Sequence, residues 1–202
     1  QDIYDDLIHM LKGAMAELTI SHPQFLSTDV GPVIDQQAYE QLTAHAERME
    51  NEAELIYQCE IDSTVSNGHF FAPRAFKLSS IKQLTGEVFG PILHIIPYQQ
   101  LQLDQVIDEI NETGFGLTLG IQSRINERIE YIRSRVNVGN IYINRNMIGA
   151  IVGLQPFGGE GLSGTGPKAG GPYYLPKLCH ERTVTTNTVA MGGNASLLML
   201  ED

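Results

Sequence analysis

The 202-residue sequence has no long hydrophobic run and no cluster of positive charge. No apolar segment approaches the roughly 20 residues that span a bilayer, so we expect a soluble, cytoplasmic protein without a membrane span. Thirteen basic residues against 24 acidic ones leave a net charge of −11. Because no Lys/Arg cluster offsets this charge, the sequence argues against nucleic-acid binding through this region.

Cysteine is also scarce. Cys59 and Cys179 lie far apart and form no CxxC pair, which disfavours a disulfide framework and fits a reducing compartment. The six histidines are scattered without HExxH or Cys/His ligand spacing, so we predict no metal site. Hydrophobic residues make up 42% of the chain and charged residues 18%, values typical of a globular protein with its own core.

Glycine, in contrast, is concentrated in residues 139–174, which open with the β-branched segment GNIYIN. Nine glycines lie between Gly149 and Gly171. Glycine serves where a backbone needs positive φ or a close approach to a ligand, so this density after a strand predicts a site loop. A flexible linker is the alternative, but apolar residues such as Ile151 and Phe157 are not typical of a solvated Gly/Ser linker.

Hydrophobic periodicity predicts an alternation of helices and strands. Helical spacing places one helix at Tyr4 to Leu18 and a second after a cap at Asp35. ELIYQCE and GHFFAPRAF are extended segments, and Pro73 confines the latter to an edge or a strand end. Between residues 92 and 144, the strands ILHIIPY, LTLGIQ and NIYIN alternate with helices at 103–111 and 125–136. We therefore predict an α/β fold with a parallel sheet covered by helices, and a ligand site beyond the carboxyl ends of its strands.

Two nucleotide-binding motifs are matched only in part. Residues 159–164 fit GxGxxG, but Pro167 and Pro172 follow where the dinucleotide fingerprint needs a helix. Residues 161–168 resemble a P-loop, but a proline stands where the lysine should be. Ser163 lacks a GxSxG elbow, and neither cysteine has a clear electropositive setting, so no nucleophile is assigned.

Three other motifs occur together and in a recognisable order. EVFGP at 87–91 precedes a strand, NETGFGL occupies 111–117, and PFGG at 156–159 is followed by SG at 163–164. Together they resemble the carboxyl-terminal half of the NAD-dependent aldehyde dehydrogenase superfamily, over essentially the whole chain. Residues 143–175 are similar to the 1-pyrroline-5-carboxylate (glutamate-semialdehyde) dehydrogenases, above all to the dehydrogenase domain of bifunctional proline-utilisation enzymes.

The resemblance implies roles for five residues. Glu87 would bind the ribose hydroxyls on the nicotinamide side of NAD, since a carboxylate can accept both hydrogen bonds of a diol, and Phe89 would pack near that ribose and ring. Backbone N–H groups at Gly149 and Ala150 would anchor the α-carboxylate of the aldehyde substrate, and Phe157 would line its aliphatic chain. We expect Glu87 and this glycine turn to flank one cavity.

The family mechanism is covalent: a cysteine thiolate attacks the aldehyde, hydride passes to NAD, and a glutamate-activated water releases the acid. The GQxC-type motif of that cysteine belongs upstream of the first helix and is not in this sequence, and neither Cys59 nor Cys179 occupies the matching position. The chain opens with Gln-Asp-Ile rather than Met, which suggests a start inside a longer protein. The resemblance therefore implies an inactive fragment of an enzyme that oxidises glutamate 5-semialdehyde to glutamate in proline catabolism, with FAD confined to a separate proline dehydrogenase domain.

The chain is expected to have two parts. Residues 1–170 would form part of the aldehyde dehydrogenase catalytic domain, and residues 171–202 an oligomerisation strand and tail. The alternating Thr/Val segment 181–190 predicts a β-ribbon that must pair with an earlier hairpin or with a neighbouring subunit. The apolar residues of 197–200 predict docking on a partner, and we expect a homo-oligomer. Two alternatives stay open: a non-catalytic oligomerisation or docking module, and a dehydrogenase for another ω-semialdehyde.

Overall fold

The computed structural model divides the chain into two compact units. Unit 1 comprises Gln1–Gly114 and Glu127–Val136, and unit 2 comprises Phe115–Asn126 and Asn137–Asp202. The residues that the structure describes are 3–62, 65, 67–187, 189–190 and 192.

Unit 1 is built on a three-stranded mixed sheet. Strand β1 (Glu54–Gln58) is antiparallel to β2 (Arg74–Lys77), and β2 is parallel to β3 (Ile92–Ile95), so β2 is the central strand. Pro73 immediately precedes β2, where its missing N–H costs no ladder bond, and its carbonyl accepts a 2.9 Å hydrogen bond from the Cys59 N–H. Of the two places predicted for this proline, the strand end is the one it occupies.

The helices of unit 1 follow the predicted periodicity closely. They are α1 (Tyr4–Ala16), α2 (Gln36–Glu52), α3 (Leu103–Glu112) and α4 (Asn126–Arg133). The first residue of α4, Asn126, is assigned to unit 2, and the rest of the helix belongs to unit 1. The carboxylate of Asp35 accepts a 2.8 Å hydrogen bond from the Ala38 N–H, which confirms the predicted cap of α2. None of the helices among the described residues is long and apolar enough to cross a membrane.

Two buried clusters form the core of unit 1, one on α2 and one on α1. The α2 cluster packs its buried stripe against the sheet, and Met49 at its centre has no exposed surface. Its buried members are Leu42, Ala46, Met49, Phe71, Phe76 and Leu78. The α1 cluster consists of Met15, Ile20, Ile56, Cys59 and Ala75. The expectation that Cys59 is a small buried hydrophobe is therefore confirmed, at 3% exposure.

Unit 2 contains two short sheets and the glycine-rich segment. Strand β4 (Phe115–Gly116) is antiparallel to β7 (Glu160–Gly161), and β5 (Thr118–Ile121) is parallel to β6 (Asn140–Ile143). A short helix, α5 (Tyr174–Lys177), follows the glycine-rich segment.

The parallel sheet is less extensive than the sequence predicts. The strands of ILHIIPY, LTLGIQ and NIYIN do not share one sheet, because β3 pairs with β2 in unit 1 whereas β5 and β6 pair with each other in unit 2. Hydrophobic alternation identifies a strand, but its partner is set by contacts distant in sequence. The α/β character is thus confirmed, with parallel pairs in place of one continuous sheet.

The described part of the predicted C-terminal ribbon does not form a strand. Among the described residues from 181 to 187, none takes part in a strand pair. A strand exists only through its hydrogen-bonded partner, and the described residues supply none for this segment. The apolar patch at 197–200 lies outside the described residues. The ribbon, the tail and the division at residue 170 stay predictions.

Candidate functional site

Both residues predicted to bind the cofactor, Glu87 and Phe89, line a pocket of about 280 Å³ in unit 1. It lies between the middle of α2 and the loop that leads into β3, and Glu87 and Phe89 line it together with His45. Phe89 is 81% exposed, so its ring is available to a ligand. A Cβ at Gly90 would lie 2.5 Å from the Leu42 side chain, so a glycine here lets the loop close on α2.

The carboxylate of Glu87 is poised to accept hydrogen bonds. It is exposed at the pocket, and among the described residues no cation pairs with it. Both of its oxygens are therefore free to accept from a diol. The loop that carries it is fixed at its end, because the Pro91 carbonyl accepts a 3.0 Å hydrogen bond from the Arg74 N–H at the start of β2.

A pair of histidines adjoins this pocket. The Nε2 atoms of His45 and His94 are 2.9 Å apart, so one ring N–H donates to the bare nitrogen of the other. Burial lowers the pKa of His94 to about 4, with the charges of His45 and Arg48 acting in the same direction. Burial and then Arg48 lower the pKa of His45, partly opposed by Glu52. Both rings are thus neutral near pH 7.

Sequence reasoning missed this pair because the two residues are 49 positions apart and match no ligand spacing. The one local signal is that His94 belongs to the strand that follows EVFGP. No signal in α2 singles out His45.

The glycine turn of unit 2 has an open backbone. Gly149 has φ of +68°, and a Cβ there would meet nothing within 4 Å, so the left-handed conformation rather than crowding requires glycine. Its carbonyl accepts a 3.3 Å hydrogen bond from the hydroxyl of Tyr142, which ties the turn to β6. Among the described residues, no acceptor bonds the backbone N–H of Gly149 or Ala150. These are the features of a backbone anion site.

Phe157 is held by a backbone bridge. Its N–H donates to the Ala169 carbonyl at 3.1 Å, and the Ala169 N–H donates back at 2.9 Å. Its ring is half-buried. At Gly158, the residue after Phe157, a Cβ added to Gly139 would come much closer to the carbonyl oxygen than van der Waals contact allows. The glycines here allow backbone to pack on backbone, unlike those of a flexible linker.

The predicted site residues thus fall into two groups. Glu87 and Phe89 lie together in unit 1, whereas Gly149, Ala150 and Phe157 belong to the glycine-rich segment of unit 2. A single cavity flanked by both groups stays a prediction.

The thiol of Cys59 is not equipped as a nucleophile of these sites. Cys59 is buried, its Sγ lies 3.3 Å from the Met15 carbonyl oxygen, and burial raises its pKa, the opposite of what thiolate chemistry needs. Cys179 is exposed, just after α5. Among the described residues, no group of three His, Cys, Asp or Glu side chains could hold a metal ion.

Residues 1–184 match the model of the aldehyde dehydrogenase family, and the chain belongs to this family. A bifunctional protein PutA from Klebsiella aerogenes is 45% identical to it over 187 residues, which are 90% of this chain and 14% of that protein. A variant of proline utilization A (PutA) from Bradyrhizobium japonicum is 54% identical, with a TM-score of 0.87 over 94% of this chain and 19% of that one. A 1-pyrroline-5-carboxylate dehydrogenase from Thermus with bound NAD is 32% identical, with a TM-score of 0.76 over 86% of this chain and 33% of that one.

These similarities confirm the resemblance inferred from the three motifs. The chain spans a third or less of the length of each of these relatives. The mixed α/β fold with parallel strand pairs is that of the aldehyde dehydrogenase structures it matches.

Proposed function

We propose that this chain is part of an NAD-dependent dehydrogenase that oxidises L-glutamate 5-semialdehyde, the open form of 1-pyrroline-5-carboxylate, to L-glutamate in proline catabolism. The observation that carries the proposal is that the Glu87 carboxylate, which no cation of the described residues pairs with, and the exposed aromatic ring of Phe89 line one pocket. The names of the relatives, PutA and 1-pyrroline-5-carboxylate dehydrogenase, support the substrate.

The pocket of unit 1 fits the ribose and nicotinamide portion of NAD, which supplies the hydride acceptor when bound. A volume of about 280 Å³ suits part of a dinucleotide rather than the whole of it. Glu87 would accept from the two ribose hydroxyls, and Phe89 would cover the apolar face of the ribose and ring.

The glycine turn of unit 2 fits the carboxylate end of the substrate. The N–H groups of Gly149 and Ala150 can donate to an anion without a side-chain charge. The half-buried ring of Phe157 would line the short aliphatic chain that separates this carboxylate from the aldehyde. A dehydrogenase for another ω-semialdehyde is the alternative if this turn does not select the α-carboxylate.

The isolated chain is expected to be inactive and to bind NAD weakly. Of its two thiols, Cys59 is buried with a raised pKa, and Cys179 does not occupy the position that the family motif gives to the nucleophile. The attacking cysteine and the general-base glutamate would come from the rest of the enzyme. We place the enzyme in the cytoplasm, with both thiols reduced.

A second function, assembly, is favoured by the exposure of apolar side chains after the glycine-rich segment. Tyr173, Leu175, Leu178 and Val184 are each about 70% exposed or more. Apolar patches of this kind mark interaction surfaces. We therefore propose that residues 171–202 join two copies of the enzyme, which is compatible with the dehydrogenase function.

The proposal is tested in the whole enzyme that contains this chain, by following NADH formation with 1-pyrroline-5-carboxylate. Glu87→Gln loses charge-assisted hydrogen bonds worth about 1.5–3 kcal/mol, so the KM for NAD should rise about 10- to 100-fold while the KM for the aldehyde changes little. Glu47→Gln changes an exposed glutamate of α2 outside the pocket and is the matched control.

The substrate turn is tested by Gly149→Val, which should raise the KM for the aldehyde and spare that for NAD. Gly153→Val is its control, since Gly153 has a similar φ of +83° in the same loop and equal freedom from contacts. An enzyme that is indifferent to Glu87→Gln and Gly149→Val would refute the site. If an aliphatic aldehyde without the α-carboxylate were oxidised as fast as glutamate semialdehyde, the proposed substrate would be refuted.

A further inference from the structure

Asn140 is the only polar residue among the buried residues of the described chain, at 8% exposure. It is the first residue of β6. Its Nδ2 donates to two carbonyls, that of Leu117 at 3.0 Å and that of Gly158 at 2.9 Å. Its backbone N–H donates to Leu117 as well, at 3.1 Å. One side-chain amide therefore joins the start of β5 to the glycine-rich segment.

The Gly158 carbonyl is a point where three segments meet. Gly139 packs against it so closely that no Cβ fits between them. Lys168 packs over Gly158, and its Nζ donates to the Gly139 carbonyl. Next in sequence, Phe157 is bridged to Ala169. Asn140 thus fixes the backbone on the carboxyl side of Phe157. Ala169 fixes the N–H and C=O groups of Phe157 itself.

Only an amide side chain meets the demands of this position. Asparagine carries two N–H donors on one uncharged atom, and both are used here on carbonyl oxygens. Aspartate has the same shape but, when ionised, offers acceptors alone. Leucine has neither donor nor acceptor and would remove the donor from the part-buried bond to the Gly158 carbonyl.

We propose that Asn140 is a positioning residue of the aldehyde site, which acts by holding the Gly158 carbonyl and thereby the orientation of the Phe157 ring. This inference rests on the proposed function, in which Phe157 lines the aliphatic chain of the substrate. This role differs from a contribution to folding alone, because a change at Asn140 should alter the KM for the aldehyde and should do so through the Phe157 ring.

The test compares Asn140→Asp with wild type in the whole enzyme. The KM for glutamate semialdehyde should rise about tenfold or more, because the Gly158 carbonyl loses its donor, while the KM for NAD stays within about twofold. As the pH falls, the introduced carboxyl takes up a proton and can donate one hydrogen bond, so the ratio of variant to wild-type KM should decrease. Asn51→Asp alters an exposed amide of α2 that bonds within its own helix, and it should change neither KM.

A double-mutant cycle with Phe157→Leu identifies the route of the effect. If Asn140 acts through Phe157, Asn140→Asp should raise the KM much less in the Phe157→Leu background than alone. If the two substitutions raise the KM for the aldehyde independently, so that their effects multiply in the double variant, the inference is overturned. An equal loss of kcat with every aldehyde overturns it as well. Should Asn140→Asp fail to fold, Asn140→Ser retains one donor and replaces it in the cycle. If that variant also fails to fold, the role is structural and the inference is wrong.

The outcomes separate this inference from the proposed function. A wild-type enzyme that does not oxidise glutamate semialdehyde refutes the proposed function. An active wild-type enzyme whose Asn140 variants show no aldehyde-specific effect refutes only the positioning role.

Discussion

Mild acid is expected to destabilise unit 1 through His94. Its ring lies against His45, with 2.9 Å between the Nε2 atoms, and stacks with Phe76 at 6.5 Å between ring centroids. Burial, His45 and Arg48 lower its pKa from 6.5 to about 4. The folded chain therefore keeps this ring neutral at about pH 5, whereas the unfolded chain protonates it.

The sign and size of the effect follow from proton linkage. Between pH 6.5 and about 4 the unfolded state binds more protons through His94 than the folded state does, so the free energy of unfolding decreases as the pH falls through this window. The full pKa shift corresponds to a loss of about 2 kcal/mol between about pH 7.5 and about pH 5. Because the ring is only partly buried, solvent screening reduces the expected loss to about 1 kcal/mol.

The assay is urea unfolding of the chain at about pH 7.5 and about pH 5, for wild type and His94→Gln. The variant has no ring to titrate, so acid should cost it about 1 kcal/mol less than it costs wild type. Each protein is compared with itself at the two pH values, so any stability that the substitution removes equally at both pH values cancels. His9→Gln removes an exposed histidine of α1 and should keep the wild-type difference. Equal acid-induced losses in wild type and His94→Gln would refute the reasoning.

Two further predictions concern packing and use matched pairs. Met49→Ala empties a site with 0% exposure and should cost about 2–5 kcal/mol in urea unfolding, whereas Met10→Ala, at 71% exposure in α1, should change stability by less than about 0.5 kcal/mol. Gly139→Ala drives a methyl group into the Gly158 carbonyl and should lower the Tm by several degrees, whereas Gly13→Ala, in a helix with nothing within 4 Å, should keep or raise it. Equal responses within either pair would contradict the packing described for it.

The helices could be predicted because their signals are local. The cap at Asp35 and the apolar spacing of α2 lie within one stretch of sequence, and the structure confirms both. The positions of β1, β3, β5 and β6 were predictable for the same reason. Strand partners were not, because β3 could pair with any parallel neighbour by pattern alone, and its pairing with β2 depends on residues far away along the chain.

The candidate site was predictable to the extent that its residues belong to motifs. EVFGP identified the loop of Glu87 and Phe89, and the structure places both at one pocket. His45 and Asn140 carry no such label. His45 belongs to a helix whose amphipathic pattern does not distinguish it from its neighbours. Asn140 begins a strand, and only its two carbonyl partners, seen in the structure, show that its side chain has a specific role.

The glycine-rich segment shows why a count of glycines underdetermines a site. Gly149 and Gly153 have positive φ and open space around them, so residues that tolerate the left-handed conformation, such as asparagine, could replace them at modest cost. Gly139 and Gly164 have no positive φ, but a Cβ on either would collide with a backbone carbonyl group. The turn at Gly149 leaves the N–H groups of Gly149 and Ala150 without an acceptor among the described residues, whereas the lack of a Cβ at Gly139 and Gly164 lets backbone pack against backbone. Under the proposed function, recognition at the turn around Gly149 would therefore depend on the rigidity supplied by glycines that the ligand does not touch.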